Sequence, residues 1–405
     1  MTAAGPAAPL ARAALPIPAL RLHNRVLPVL IAAGAAAVLG TGFLNLAPNR
    51  LLSGAPVKLW TAADATLVAL IGLCGALLLV VSLLPPRRTV YRAAALIAAI
   101  LVLAILAAAG QGAMSIAAGA PARARVSLGA GFWILFGAAG LMLIDALQRA
   151  ETGIAARLAV AAALTLAFVV MAKIGLFESL SLAREYHTRA DFFAGALLRH
   201  ILLVAAAVGP AVAIGFPLGV AAARRPQIQG PLFAVLNLLQ TVPSVALFGL
   251  LIVPLSALAT AVPPLAAIGI GGIGPAPAII ALILYALLPV VRNSMAGIAG
   301  VDPAVIEAGR GMGMTRRQLF WRAELPLAAP VLLAGLRIVI VQAIGLAVVA
   351  ALIGAGGLGS LVFEGLGQYA ADLVLLGALP AIALALAADF LLQTLAALLD
   401  RRFGR

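Results

Sequence analysis

Residues 293–326 read NSMAGIAGVDPAVIEAGRGMGMTRRQLFWRAELP and form the longest interval between two apolar runs of this chain. Asp302-Pro303 is a helix start, because Asp caps free backbone N–H groups and Pro suits the first helical position. The helix then passes through Glu307 and Ala308 and meets glycines at 309, 311 and 313. Glycine is the usual residue where a helix ends in a left-handed turn. The stretch predicts a short helix that ends at a glycine turn.

A second short helix is predicted directly after that turn. Thr315-Arg316-Arg317-Gln318 has the spacing of a capping box, and Leu325-Pro326 is predicted to end the helix before the next apolar run. Two short helices at an angle make a knob suited to a groove in another protein. An amphipathic loop lying among lipid headgroups is the alternative interpretation.

The composition around this interval is that of a membrane protein. Of 405 residues, 64% are hydrophobic and 10% are charged, whereas soluble domains have roughly 45–50% apolar and about 25% charged residues. A soluble enzyme, a disordered protein and a secreted disulfide scaffold are excluded. The single cysteine, Cys74, leaves no intrachain disulfide and is interpreted as a small buried apolar residue.

Ten apolar runs are long enough to cross a bilayer, which takes about 20 residues. They predict an all-α integral membrane protein with spans at about 26–47, 61–84, 92–110, 126–147, 158–177, 199–222, 231–255, 274–291, 327–352 and 373–399. With the N-terminus inside, 18 basic residues fall inside and 8 outside, and Arg337 lies near a span end. The excess of inner basic residues predicts that both termini are cytoplasmic.

The chain is predicted to divide at a polar stretch on the outer side. The expected parts are a cytoplasmic tail (1–25), a membrane region of about five spans (26–177), an outer linker (178–198), a second membrane region (199–400) containing the cytoplasmic loop 293–326, and a cytoplasmic tail (401–405). No repeat relates the two membrane regions.

The loop resembles the EAA loop of ATP-binding-cassette (ABC) importer permeases, written EAA-x3-G-x9-I-x-L-P. Glu307, Ala308, Gly313, Leu325 and Pro326 match it at full spacing, while Gly309 stands for the second Ala and Ala323 for the Ile. The resemblance covers residues 195–400 and is strongest to the osmoprotectant (glycine betaine, choline and proline) branch. The segments that carry it are 199–204, 215–219, 240–244, 285–289, 292–293, 311–314 and 353–359.

The resemblance implies that this chain is the transport subunit of an importer in a bacterial inner membrane. A separate ATPase, which holds ATP and Mg, would dock on the loop. No Gly-Lys pair of a Walker A motif occurs here, since the only lysines are Lys58 and Lys173. A second permease copy or paralogue and an extracytoplasmic solute-binding protein are the other implied partners. No cofactor, metal site, catalytic residue or nucleic-acid partner is expected in this chain.

The implied role of each loop residue follows from its place in the motif. Glu307 makes a charged contact with the ATPase or caps the loop, and Gly313 permits the turn. Leu325 and Pro326 set the exit into the following span. The coupling-loop set is Glu307, Ala308, Gly309, Gly313, Thr315, Leu325 and Pro326.

Polar side chains inside the predicted spans are candidates for the translocation pathway, because such groups usually face protein or a cavity. They are Asn237, Gln240, Thr241, Ser244, Tyr285 and Gln342, joined by the glycines after Ile353. The alternative is that these groups hold helices together by hydrogen bonds. Aromatic residues are only 5% of the chain, so recognition of a quaternary ammonium solute is assigned to the binding protein.

Three other functions stay open at this point. An amino-acid or methionine permease of the ABC class shares part of the motif set. A transporter driven by an ion gradient would need carboxylates at mid-membrane and repeated halves. A membrane enzyme would need a convergent set of catalytic side chains, and none is recognised.

Overall fold

The computed structural model describes residues 22–50, 52, 54–267 and 269–403. Contacts divide the chain into two units. The first unit comprises 1–46, 54–121 and 128–177, and the second comprises 47–53, 122–127 and 178–405. Residues 1–21 of the predicted tail 1–25 lie outside the described residues.

Helices and short strands of the N-terminal half belong mainly to the first unit. They are α1 (Val26–Gly40), β1 (Leu44–Ala47), β2 (Ala55–Val57), α2 (Leu59–Ala62), α3 (Ala65–Leu83), α4 (Arg88–Ala118), β3 (Arg125–Leu128), α5 (Ala130–Arg149) and α6 (Ile154–Lys173). Strands β1 and β2 pair antiparallel, with Leu44 opposite Val57 and Leu46 opposite Ala55. Residues 125–127 of β3 fall in the second unit.

The remaining helices form the second unit. They are α7 (Ser181–Thr188), α8 (Ala190–Arg224), α9 (Pro226–Thr241), α10 (Ser244–Ala261), α11 (Pro263–Ala267), α12 (Pro275–Ala299), α13 (Pro303–Gly311), α14 (Arg316–Leu319), α15 (Leu325–Val349), α16 (Leu358–Gly367) and α17 (Ala371–Phe403). A π-helical turn at Phe320–Glu324 and a 3-10 turn at Ala350–Ile353 connect them.

Nine helices in the described part of the chain are long and apolar enough to cross a membrane. Helix α1, with 15 residues, is shorter than this. The predicted run 26–47 was therefore wrong after Gly40, where the backbone becomes extended at Thr41 and enters β1. Apolar composition alone does not separate a helix from a strand, which explains the error.

The predicted span 231–255 is two helices, α9 and α10, separated at Val242-Pro243. Proline has no N–H to donate and disfavours the helical conformation of the residue before it. Val242 accordingly has φ −71° and ψ 126°, an extended conformation. Pro243 therefore interrupts the predicted span completely.

Two predicted connecting segments are helical. The outer linker 178–198 contains all of α7 and the first residues of α8. Helix α17 continues to Phe403, so that most of the predicted tail 401–405 prolongs the last span. Hydropathy could not reveal either helix, because a helix can extend past the apolar region that the bilayer requires.

Close packing of α8 against α12 organises the second unit. Val204 and Ala207 of α8 share a buried cluster with Leu282 of α12 and Ala343 of α15. Gly219 lies at a close approach of α8 to α12, since a Cβ there would sit 2.7 Å from the backbone oxygen of Val291. Small residues allow helices in membranes to approach in this way.

Gly219→Ala is expected to destabilise the second unit by about 1–3 kcal/mol, the usual cost of overpacking a tight core. The added methyl group would meet the backbone of α12, which cannot move aside as a flexible side chain can. Thermal unfolding of the detergent-solubilised protein measures the effect. Gly195→Ala is the matched control, because it lies in the same helix with no atom within 4 Å of the new Cβ. Equal unfolding midpoints for both variants would contradict the packing argument.

Candidate functional site

The first helix of loop 293–326 has the predicted N-terminal cap. The carboxylate of Asp302 accepts a hydrogen bond from the N–H of Ala304 at 2.8 Å, and Pro303 opens α13. Glu307 and Ala308 are exposed on this helix. The side chain of Glu307 forms no hydrogen bond or ion pair with the described residues. Its carboxylate is therefore free to meet a group from outside the chain.

The two helices of the loop meet at Gly309 and turn at Gly313. Gly309 is buried, and a Cβ there would lie 2.6 Å from Cδ1 of Leu319 in α14. Gly313 has φ +78°, a left-handed conformation that side chains other than glycine disfavour. The N–H of Gly313 bonds the oxygen of Arg310 at 2.9 Å, and that of Met314 bonds Gly309 at 3.1 Å. The turn is a closed, hydrogen-bonded joint.

The second helix begins with the predicted capping box. The N–H of Gln318 donates to Oγ1 of Thr315 at 3.3 Å, and the N–H of Thr315 donates to Oε1 of Gln318 at 2.9 Å. The prediction that Leu325-Pro326 ends this helix was wrong, because helical structure continues through the π-helical turn into α15. Pro326 falls in the first turn of α15, where a missing N–H is tolerated after the π-helical turn. The second helix of the loop and the following span therefore form one continuous helical segment.

Side chains from other helices hold the loop in place. Arg224 at the end of α8 forms an ion pair with Glu324 at 2.9 Å and lies over the ring of Phe320 at 5.2 Å. Ile306 and Phe320 pack on a buried cluster formed by Ile298, Val301 and Ala328. Other side chains of the loop are exposed and apolar, and they include Val305 (37% exposed), Met312 (72%) and Trp321 (58%). A fixed inner surface and an apolar outer surface suit a docking element.

Two of the predicted pathway residues meet at the break between α9 and α10. The hydroxyl of Tyr285 donates a hydrogen bond to the carbonyl oxygen of Val242, and the amide of Gln240 donates to the carbonyl oxygen of Tyr285 at 2.6 Å. Tyr285 is buried. The first of these bonds satisfies the carbonyl of Val242, which the break at Pro243 exposes, as membrane interiors require. The geometry favours a structural use of both side chains.

The other four predicted pathway residues are dispersed. Oδ1 of Asn237 accepts a long hydrogen bond of 3.5 Å from Arg292, and the hydroxyl of Thr241 donates to the carbonyl of Leu238. Ser244 and Gln342 are partly buried and form no side-chain hydrogen bond with the described residues. Lining of a route by these groups stays a prediction.

Sequence reasoning missed a contact between the start of α8 and the glycine segment after Ile353. Arg199 donates from Nε to the carbonyl of Ala355 at 3.2 Å. His200 is fully buried, and a Cβ on Gly357 would lie 3.2 Å from its Nδ1. Gly357 has φ +80°. Both segments carried the family resemblance, but nothing in the sequence indicated that they touch.

Tyr285→Phe tests the structural use of the tyrosine hydroxyl. Loss of its hydrogen bond to Val242 is expected to destabilise the protein by about 0.5–1.5 kcal/mol and to leave the KM for transported solute unchanged. Thermal unfolding and uptake by the reconstituted transporter measure the two quantities. Tyr369→Phe removes the same atom from a 91% exposed side chain and is the control. A raised KM with unchanged unfolding would place the hydroxyl on the solute pathway.

Comparison with known proteins identifies relatives of both halves of this chain. Residues 215–405 match the family described as "Binding-protein-dependent transport system inner membrane component". Residues 23–183 match "ABC transporter permease YehY, N-terminal domain". The carnitine transport permease protein OpuCB of Listeria monocytogenes is 42% identical over 197 residues, which cover 49% of this chain and 83% of that protein. This chain belongs to the ABC importer permeases.

Two further relatives are similar to this permease over about half of its length. The osmoprotectant import permease protein OsmW of Salmonella typhimurium is 41% identical over 206 residues, covering 51% of this chain and 91% of that protein. The choline transport system permease protein OpuBB of Bacillus subtilis is 39% identical over 193 residues, covering 48% and 82%. A solved chain of the MetNI methionine ABC transporter is 21% identical, covers 52% of this chain and 98% of that one, and has a TM-score of 0.46.

Membership confirms several predictions made from the sequence. The permease is a multi-pass, mainly helical protein of the inner membrane, and it is a transport subunit of an ABC importer and not an enzyme. ATP hydrolysis in this family belongs to a separate subunit. The interpretations as an ion-driven transporter and as a membrane enzyme are thereby excluded.

Proposed function

We propose that the permease imports an osmoprotectant of the glycine betaine, choline or proline kind. The support is that three relatives, which align with this chain over most of their own length, are named for carnitine, osmoprotectant and choline transport. Their similarity to this chain is confined to about half of it. An amino acid is the alternative solute class, and competition between labelled betaine and amino acids in an uptake assay separates the two.

Coupling of transport to ATP hydrolysis occurs at the exposed surface of loop 293–326. The ATPase, which carries ATP and Mg, docks against Val305, Met312 and Trp321, and Glu307 supplies a charged contact. Movement of the ATPase is transmitted along α14 into α15, since these helices are continuous through the π-helical turn. A coupling element must make different contacts in the two conformational states of the transporter. A rigid helix can do so because it moves as one body. The fixed loop with an exposed apolar surface is the observation that carries this proposal.

The other partners follow from the class of importer. A second permease, identical or paralogous, completes the pathway, and a solute-binding protein delivers the solute from outside. With both termini in the cytoplasm, loop 293–326 faces the ATPase and α7 faces the binding protein. Cysteine labelling at Thr315→Cys tests this orientation, because an impermeant reagent added outside intact cells should not reach it.

The domain division proposed here keeps the boundaries 26–177, 178–198 and 199–400. It is supported by the last unit boundary, between Phe177 and Glu178, and by the family match that begins at 215. The alignments with the relatives cover about half of this chain. Transport by residues 178–405 expressed alone with the ATPase would show that this region is dispensable for the pathway.

The test of the proposed function is reconstitution of the full permease with the candidate ATPase and binding protein in proteoliposomes. We expect betaine-stimulated ATP hydrolysis, and uptake that survives an ionophore. Uptake abolished by the ionophore, or no stable association with any co-expressed ATPase, would contradict the proposal.

A further inference from the structure

A strongly basic pocket lies in the second unit at the end of α8 that is remote from the coupling loop. Three separate segments form it, and its lining includes Arg50, Arg123, Arg125, Arg184, His187 and Thr188. Its volume is about 590 Å³, within the range of roughly 300–1,000 Å³ that is usual for ligand sites. Among the residues that the structure describes, no acidic side chain lines it.

The position of this pocket follows from helix α8. That helix starts at Ala190, two residues after the pocket residue Thr188, and ends at Arg224, which holds the coupling loop through Glu324. Its 35 residues correspond to roughly 50 Å at 1.5 Å per residue. The pocket and the coupling loop therefore belong to opposite membrane faces. Membrane proteins usually carry their excess of basic residues on the inner side. A cluster of arginines on the outer face therefore calls for an explanation in the local structure.

The carboxylates near the pocket do not neutralise it. Glu185 is buried and lies 3.1 Å from Nε of Arg50. Asp372 accepts a hydrogen bond from Ser181 and interacts electrostatically with Arg125 and Arg50. Two carboxylates thus face four guanidinium groups. The pocket retains a positive charge.

Guanidinium N–H groups in the pocket also lack acceptors. Nε and Nη2 of Arg50 are buried and form no hydrogen bond with the described residues, since the ion pair with Glu185 is close but poorly aimed. Arg184 donates to the backbone carbonyls of Ala122 and Ala124 at 3.4 and 3.2 Å, which leaves its charge unpaired. Arg123 is exposed and forms no hydrogen bond with residues that the structure describes. Buried donors of this kind require an acceptor.

We infer that this pocket is a binding site for a small oxyanion, either a carboxylate or a phosphate group. Arginine presents planar pairs of N–H donors that match the two oxygens of a carboxylate or phosphate. Arg50 supplies the buried donors, and Arg123 and Arg125 supply charge at the rim. The site is separate from the proposed coupling loop and from the candidate pathway residues. The bound group is either a soluble anion or the phosphate of a lipid headgroup.

Inorganic phosphate is the probe for this site. The full permease is purified in neutral detergent without lipid, and its unfolding midpoint is measured against phosphate, with sodium chloride at equal ionic strength as reference. We expect a saturable rise with phosphate only. Arg123→Gln/Arg125→Gln should weaken the apparent affinity by about tenfold or more, through loss of charge-assisted hydrogen bonds. Arg87→Gln/Arg92→Gln removes the same charge from exposed residues of the first unit and should leave the affinity unchanged.

A conservative variant separates binding from folding. Arg50→Lys keeps a positive charge beside Glu185 but lacks the planar pair of N–H donors, so it should remain folded and bind phosphate more weakly. In nanodiscs with phosphatidylglycerol, loss of the phosphate response identifies a lipid headgroup as the occupant, and retention identifies a soluble anion. The inference is overturned if phosphate and chloride act alike, or if both double variants respond equally. It is also overturned if the pocket variants affect only binding of the solute-binding protein.

Discussion

Glu307→Lys is expected to reduce solute uptake to background while leaving the permease folded. Glu307 is exposed on α13 and has no hydrogen bond or ion pair with the described residues, so its replacement costs the permease no internal contact. If Glu307 meets the ATPase as proposed, charge reversal leaves a partner charge unpaired, which costs about 2–5 kcal/mol at an interface. That corresponds to a loss of roughly 30-fold or more in affinity for the ATPase. Co-purification of the ATPase and uptake in proteoliposomes measure the two effects.

The control for this change is Glu178→Lys. Glu178 is also exposed and has no hydrogen bond or ion pair with the residues that the structure describes, but it lies far from loop 293–326 in the chain. Both variants shift the net charge equally, so a difference between them reports position and not charge. Normal uptake by Glu307→Lys, with the ATPase fully bound, would remove Glu307 from the coupling surface.

The local features of the loop could be predicted because they depend on residues close in sequence. The cap at Asp302, the turn at Gly313 and the box formed by Thr315 and Gln318 each involve contacts between residues no more than five apart. Such features follow from backbone hydrogen bonding and from the conformations that each residue type allows. The spans followed in the same way from the length of apolar runs.

Features that depend on contacts between distant residues could not be predicted from the sequence. The contacts of Arg224 with Phe320 and Glu324 join positions about one hundred residues apart, and no periodicity reveals them. Tyr285 is a candidate both for the pathway and for a hydrogen bond that holds helices together, and the structure adds that its hydroxyl contacts the carbonyl of Val242. A single sequence shows that a side chain is polar and within a span, but it does not show which backbone group needs that side chain.

The basic pocket illustrates the same limit more strongly. Arg50, Arg123 and Arg184 were counted only as outer charges in the sequence, and each belongs to a different segment. Their convergence depends on how the segments at 47–53, 122–127 and 178–188 come together in the second unit. A count of charges on each side of a membrane cannot distinguish scattered arginines from a site.

Gly313→Val is expected to lower uptake by about 5- to 30-fold through the turn alone. Gly313 has φ +78°, and no atom lies within 4 Å of a Cβ built there, so the substitution meets no steric neighbour. Its cost arises from the backbone, since a left-handed conformation costs a non-glycine residue about 1–2 kcal/mol and a β-branched residue at least as much. The turn should open to relieve this strain, and α13 would lose its fixed angle to α14. The ATPase would then find its docking surface in the correct arrangement only part of the time.

Gly311→Val is the matched control, because Gly311 lies two residues away with equally open surroundings but no positive φ. The two variants add the same side chain to the same exposed loop, so only the backbone conformation differs between them. We expect Gly311→Val to retain most of its uptake and both variants to unfold at similar temperatures, since the loop is peripheral to the buried clusters of the second unit. Equal uptake by the two variants would show that the left-handed turn is not required for coupling. If Gly313→Val fails to transport but still binds the ATPase fully, the turn acts in transmission of the movement and not in docking.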